Sequence, residues 1–151
     1  MRILVTGGAG YIGSVMTDVL ADSGHEVTVF DNLSRGYRDA VSPKATFIEG
    51  DLLDHALVAG TLRDRRIDAV IHMAGDALVG ESMTDPGKYY RTNVVAGLSL
   101  LGAMRDAGVS VHRIAPKRPS DAEVARLLDL ARRVLVEVVR AALAAGATVI
   151  N

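Results

Sequence analysis

Short apolar runs rich in β-branched residues alternate along this chain with longer stretches whose apolar positions recur at helical spacing. Residues 2–5, 26–30, 46–49 and 68–73 form four such runs. Their interiors carry no charge, as expected of strands covered on both faces rather than on one. Residues 11–23 read as an amphipathic helix, and so do residues 55–65, with Leu57, Val58 and Leu62 facing inward and Asp54 as the N-cap. Residues 76–86 read as a polar loop. A long helix is expected over 86–107, stopped by Gly108. The order β-α-β, β-α-β predicts an α/β fold, a Rossmann-type doubly wound parallel sheet of roughly five or six strands. Its crossovers are right-handed, and ligands sit outside the carboxyl ends of its strands.

The candidate chemistry lies at those ends. The first strand runs into Gly7-x-x-Gly10-x-x-Gly13, and a helix follows at once. Gly7 permits the turn out of the strand, Gly10 lets backbone approach a diphosphate, and Gly13 lets the helix pack closely. The helix start offers unpaired N–H groups and positive dipole charge to the same anion. Asp31 stands at the end of the second strand, where a carboxylate takes both hydroxyls of an adenosine ribose. Arg35 and Arg38 follow in a polar loop, but Asp31 would repel a 2′-phosphate, so NAD is expected over NADP. Arg38 reads as a solvated loop charge. Asp51, after the third strand, is placed to read an adenine edge. Ala74 and Gly75, after the fourth, would let backbone lie against the second phosphate and the nicotinamide ribose. Asn93 falls inside the long helix among apolar neighbours, where packing against a sheet-end loop would satisfy its amide.

Composition narrows the field. The 151 residues suit one domain, spanning 1–151, and 49% hydrophobic with 23% charged residues is ordinary for a globular protein. A net charge of −1 gives no electrostatic case for nucleic acid or an anionic membrane. With no cysteine, zinc–thiolate sites and thiol nucleophiles are excluded, and a reducing cytoplasmic location is the expectation. Met1 leads straight into a strand, so no signal peptide is expected, and no stretch reads as a membrane span. The histidines His25, His55, His72 and His112 are scattered, and no metal site is expected.

Several segments together resemble the extended short-chain dehydrogenase/reductases, in particular their UDP-glucose 4-epimerase-like members. The matching pieces are Thr6-Gly-Gly-Ala-Gly-Tyr-Ile-Gly13, Asp31-Asn-Leu-Ser34, Gly50-Asp-Leu52, His72-Met-Ala-Gly75, Val79-Gly-Glu-Ser82 and Tyr90-Arg-Thr-Asn-Val94, covering residues 1 to about 108. The resemblance implies that Gly7, Gly10, Tyr11 and Ile12 hold the diphosphate of NAD, with Gly13 in the same motif. It implies that Asp31, Asn32 and Ser34 hold the adenosine ribose region and that Asp51 and Leu52 frame the adenine. Met73, Ala74 and Gly75 would line the middle of the cofactor, with Asn93 near its nicotinamide end. Asp76-Ala77 stands where such proteins often carry a lysine.

The same resemblance implies a catalytic Tyr-x-x-x-Lys after a fifth strand, whose tyrosine takes the sugar hydroxyl proton while a hydride passes to the nicotinamide. Here Tyr11, Tyr37, Tyr89 and Tyr90 are followed four positions on by Val15, Val41, Asn93 and Val94, so the pair is missing. Without that base, bound NAD has no partner for the chemistry. No catalytic residue is therefore assigned, and a UDP-sugar is expected as a ligand only of a fuller parent. Tyr89, Tyr90 and Lys88 diverge in direction as adjacent helix positions, so one ring is expected to pack and the other to be exposed.

Residues 109–151 match no segment of these proteins. A strand over 109–115, a helix over 120–145 opened by the capping box Ser120-Asp-Ala-Glu123, and a strand over 147–151 are expected there. That tail would complete the sheet, or its helix would find a second copy and give a homodimer. Chimera, truncation and divergence each account for the break. Two alternative functions stand beside NAD binding. One is an active nucleotide-sugar epimerase or reductase with Ser82 or Tyr90 in a rearranged proton relay. The other is an engineered scaffold with a helical interaction surface. S-adenosylmethionine and FAD also suit the glycine turn and the acid, as minor alternatives.

Overall fold

Strands β1 (Arg2–Thr6), β2 (Glu26–Asp31), β3 (Thr46–Glu49) and β4 (Ala69–His72) form one parallel sheet in the order β3-β2-β1-β4. The computed structural model describes residues 1–109. Ile3 pairs with Val27 on one side and Ala69 on the other, and Thr6 pairs with Phe30 and His72. The carboxyl ends of β1, β2 and β4 are therefore level. The chain runs outward from β1 through β2 to β3, then returns to add β4 on the far side of β1. That reversal creates a switch point beside the end of β1.

The two central strands, β1 and β2, are buried on both faces because helices cover both, whereas β3 and β4 are partly exposed. Ile3, Val5 and Val27 pack with Leu20 of α1 (Tyr11–Asp22). Leu4 and Phe30 face the other way, toward Val58 and Leu62 of α2 (His55–Asp64) and Leu100 and Ala103 of α5 (Ala96–Asp106). Leu4, Val5, Phe30 and Val58 are fully buried, and each such side chain contributes about 1.5–3 kcal/mol by leaving water. The arrangement is the Rossmann-type, doubly wound α/β fold expected from the sequence.

Four local readings need correction or lie out of view. Leu57 is 38% exposed, since it lies about 100° around α2 from the buried stripe of Val58 and Leu62. Residues 76–86 are not all loop. They contain α3 (Val79–Thr84), one short helix in which the Ser82 and Thr84 hydroxyls donate to the carbonyls of Val79 and Glu81. The long helix is made of α4 (Pro86–Tyr90), a π-helical turn (Arg91–Val95) and α5. Asp85 caps α4 through the Lys88 N–H, and Gly108, with φ of +71°, closes α5 as expected. The strand expected over 109–115, beyond its first residue Val109, the strand over 147–151, and the helix over 120–145 with its homodimer contact lie outside the described residues. Among the described residues no helix is long and apolar enough to cross a membrane.

Candidate functional site

A cleft of about 190 Å³ opens at the carboxyl ends of the strands, at the switch point. Four strand-end segments supply its walls. Gly7 and Gly10 come from the turn after β1, Asp31, Asn32 and Ser34 to Gly36 from the end of β2, Gly50 to Leu53 from the end of β3, and Met73 to Asp76 from the end of β4. Arg91, Thr92 and Ala96 close it from the π-helical turn and the start of α5.

The glycine turn is shaped by close approach. Gly7 has φ of +70°, its N–H donates to Phe30 O at 2.9 Å, and a Cβ there would lie 2.5 Å from Ala74 N. A Cβ on Gly13 would lie 2.1 Å from Gly7 O, so the first turn of α1 packs directly on the bend. Gly10 is the N-cap of α1, and no side chain caps that end. The helix dipole places partial positive charge at this end. Tyr11 and Ile12 stand in this first turn, both about half exposed at 54% and 53%.

Asp31 is 8% exposed and firmly oriented. One carboxylate oxygen accepts the Ala9 N–H at 3.0 Å, and the other accepts the Leu33 N–H at 2.8 Å. Each oxygen keeps a further lone pair, so the group has acceptor capacity left. Leu33 sits at φ of +56°, an uncommon conformation for a leucine, with its side chain packed near Ala9 and Val41. Asn32 donates from Nδ2 to Asp51 Oδ2 at 3.0 Å, and Asp51 Oδ1 accepts the Leu53 N–H at 2.9 Å. The ribose-side and adenine-side candidates therefore form one polar rim.

On the opposite wall, Asn93 Oδ1 accepts the Asp76 N–H at 2.8 Å, and its Nδ2 donates to Asp76 O at 2.9 Å. The amide expected to need partners finds both on the loop after β4. Arg35 pairs with Asp76 at 3.5 Å and with Glu81. Glu81 also accepts from Lys88 Nζ at 2.8 Å, and the Tyr89 hydroxyl lies 2.9 Å from its other oxygen. The Lys88 and Tyr89 hydrogen bonds hold the Glu81 carboxyl below its ordinary value. Burial, then Glu81, raises the Tyr89 hydroxyl, the opposite of what a proton-abstracting tyrosine needs. His72 Nδ1 lies 2.6 Å from Thr6 Oγ1, and burial lowers the imidazole's proton affinity.

Of the residues expected from sequence, Gly7, Gly10, Asp31, Asn32, Ser34, Asp51, Leu52, Met73, Ala74 and Gly75 line the cleft. Tyr11, Ile12, Gly13 and Asn93 do not: the first three shape the helix start, and Asn93 holds the loop that does the lining. Arg35, Asp76, Arg91 and Thr92 line it without having been assigned a part in binding. Opposite charges in two strand-end loops were the available signal for Arg35 and Asp76, whereas Arg91 and Thr92 depend on a π-helical turn that no periodicity announces. Arg38 is not simply solvated, because its guanidinium lies 4.4 Å over the Phe47 ring. Tyr90 is 69% exposed while Tyr89 is engaged, as expected of the pair. Neither Ser82 nor Tyr90 lines the cleft. Among the described residues no group of three His, Cys, Asp or Glu side chains is placed to hold a metal ion.

Comparison with known proteins agrees with this geometry. Residues 3–115 match the model of the NAD dependent epimerase/dehydratase family. A UDP-glucose 4-epimerase of Lactobacillus helveticus is 52% identical over 109 residues, covering 72% of this chain and 33% of that protein. One of Corynebacterium glutamicum is 49% identical over 110 residues, covering 73% and 33%. The crystal structure of UDP-glucose 4-epimerase from Brucella ovis in complex with NAD superposes with a TM-score of 0.70 at 47% identity, over 72% of this chain and 33% of that one. The chain thus spans about a third of the length of these relatives.

Proposed function

The chain belongs to the NAD dependent epimerase/dehydratase family, and from that premise we propose that its cleft binds NAD. The observation that carries this reading is one juxtaposition. An open glycine turn with an uncapped helix start lies beside an acid held by two backbone N–H groups, at the point where the sheet reverses. The residues present fit the group. The diphosphate lies at Gly7, Gly10 and the first turn of α1, where N–H groups and the dipole meet its charge. Asp31 takes the adenosine ribose hydroxyls, with Asn32 and Ser34 beside it. Asp51 and Leu52 frame the adenine, and Met73, Ala74 and Gly75 line the middle of the dinucleotide. Asn93 acts at the nicotinamide end by holding Asp76 in place. The Asp31 carboxylate rejects a 2′-phosphate, which favours NAD over NADP.

When bound, NAD supplies a hydride acceptor and donor. The 151 residues contain no Tyr-x-x-x-Lys to move the matching proton. We therefore read the chain as binding cofactor without epimerising a sugar by itself, a UDP-sugar being the substrate class of a fuller parent. Titration calorimetry tests the first half: saturable heat with NAD, and weaker binding of NADP, are expected. No saturation at about 1 mM NAD, a free energy near −4 kcal/mol, would remove the reading. An assay for UDP-glucose to UDP-galactose conversion tests the second half, and turnover by this chain would overturn it.

A further inference from the structure

The loop after β2 and the loop after β4 flank the glycine turn after β1, because β1 lies between those strands. Arg35 joins the two. From the β2 side its Nε reaches Asp76 Oδ1 at 3.5 Å, and its terminal nitrogen meets Glu81. Both ends of this bridge are anchored. The Tyr37 N–H donates to Ala9 O at 3.0 Å, fastening the Arg35 loop to the glycine turn. Asp76, with a side chain only 8% exposed, has its backbone clamped by Asn93, and Glu81 is steadied by Lys88 and Tyr89.

We propose that Arg35 is a cofactor-positioning residue whose bridge to Asp76 and Glu81 holds the two cleft walls together and slows departure of the dinucleotide. The inference rests on the NAD reading above. A guanidinium already matched by two carboxylates has little net charge to offer a phosphate, whereas its planar fork suits a fixed tie between two acids. The diphosphate has the helix start for its charge. Arg35 therefore acts through the loop carrying Met73, Ala74 and Gly75, not by touching phosphate.

The test compares the wild type with R35Q, D76N and R35Q/D76N by stopped-flow dissociation of NAD, together with amide hydrogen exchange at Gly75 and Asp76 in the free protein. Each single change is expected to speed dissociation roughly two- to fivefold, the range of a partly exposed ion pair. The double variant is expected to be no faster than the worse single one, and all three to exchange faster at those amides. R35K, which keeps charge and loses the fork, is expected to recover part of the rate. Wild-type dissociation in D76N would overturn the bridge, because an arginine acting directly on phosphate does not need Asp76. Wild-type dissociation in R35Q would overturn it as well. If NAD binds and only these rates fail to move, this inference alone falls. If the wild type does not bind NAD, the cofactor reading falls and the positioning role with it, whatever the exchange data show.

Discussion

A Cβ at Gly7 would lie 2.5 Å from Ala74 N and would have to accept φ of +70°. The backbone conformation alone costs a non-glycine residue about 1–3 kcal/mol, and the contact is with main chain that cannot rotate away. Gly7→Ala is thus expected to lower stability by at least that amount, read as a fall in the urea midpoint at unchanged slope. It should weaken NAD at the same time, since the turn and the Ala74 wall would separate. At this scale the sequence was readily legible for the glycines and Asp31, whose roles follow from backbone sterics and strand position. For Arg35 and Asp76 it offered only opposite loop charges and not their pairing, because a loop charge acquires a partner only when two distant strand ends are brought side by side.

The segment from Pro86 to Asp106 shows the same division one level up. Its apolar spacing marks a helix, and Asp85, Pro86 and Gly108 mark its ends. The π-helical turn Arg91–Val95 interrupts the regular ladder at Asn93, the residue whose amide closes two hydrogen bonds with Asp76. Such turns recur at functional sites. Asn93→Ala leaves the Asp76 N–H and C=O without that partner at a solvent-accessible position, a loss of about 1 kcal/mol. The loop would loosen more than the fold, so the expected signature is faster hydrogen exchange at Asp76 with a small change in global stability. The short helix α3 escaped the sequence reading because Gly80, Ser82 and Thr84 are poor helix formers. It forms with hydroxyl-to-carbonyl hydrogen bonds and with Glu81 tied to Arg35, Lys88 and Tyr89.

For the molecule as a whole, the amino-terminal edge of the sheet is pinned by Arg2 and Asp68, 2.8 Å apart, with the Arg2 N–H also donating to Asp68 at 2.7 Å. These hydrogen bonds lower the Asp68 carboxyl from 3.8 to about 2. A carboxyl depressed by folding stabilises the native state above its ordinary value. That contribution is lost as pH falls from 3.8 through about 2. Asp68→Asn should therefore lower the thermal midpoint at neutral pH and flatten its acid limb, the two curves converging at low pH. Parallel curves down to that pH would refute the coupling.

What the sequence by itself determined is whatever depends on local sterics and periodicity: four strands, the helices between them, the glycine bend, the acid at the end of β2, and hence an α/β sheet with its cleft at the carboxyl ends. Those features belong to neighbouring residues, and their geometry follows from φ, from a missing Cβ or from the repeat of apolar positions. Only the tertiary structure decided which polar groups meet around the cleft: Asn32 with Asp51, Asn93 with Asp76, Arg35 with Asp76 and Glu81. These pairs join segments that come together only after parallel strands have been paired through their crossovers, and a side chain's hydrogen-bonding capacity does not say which of many distant partners the packing will bring into reach.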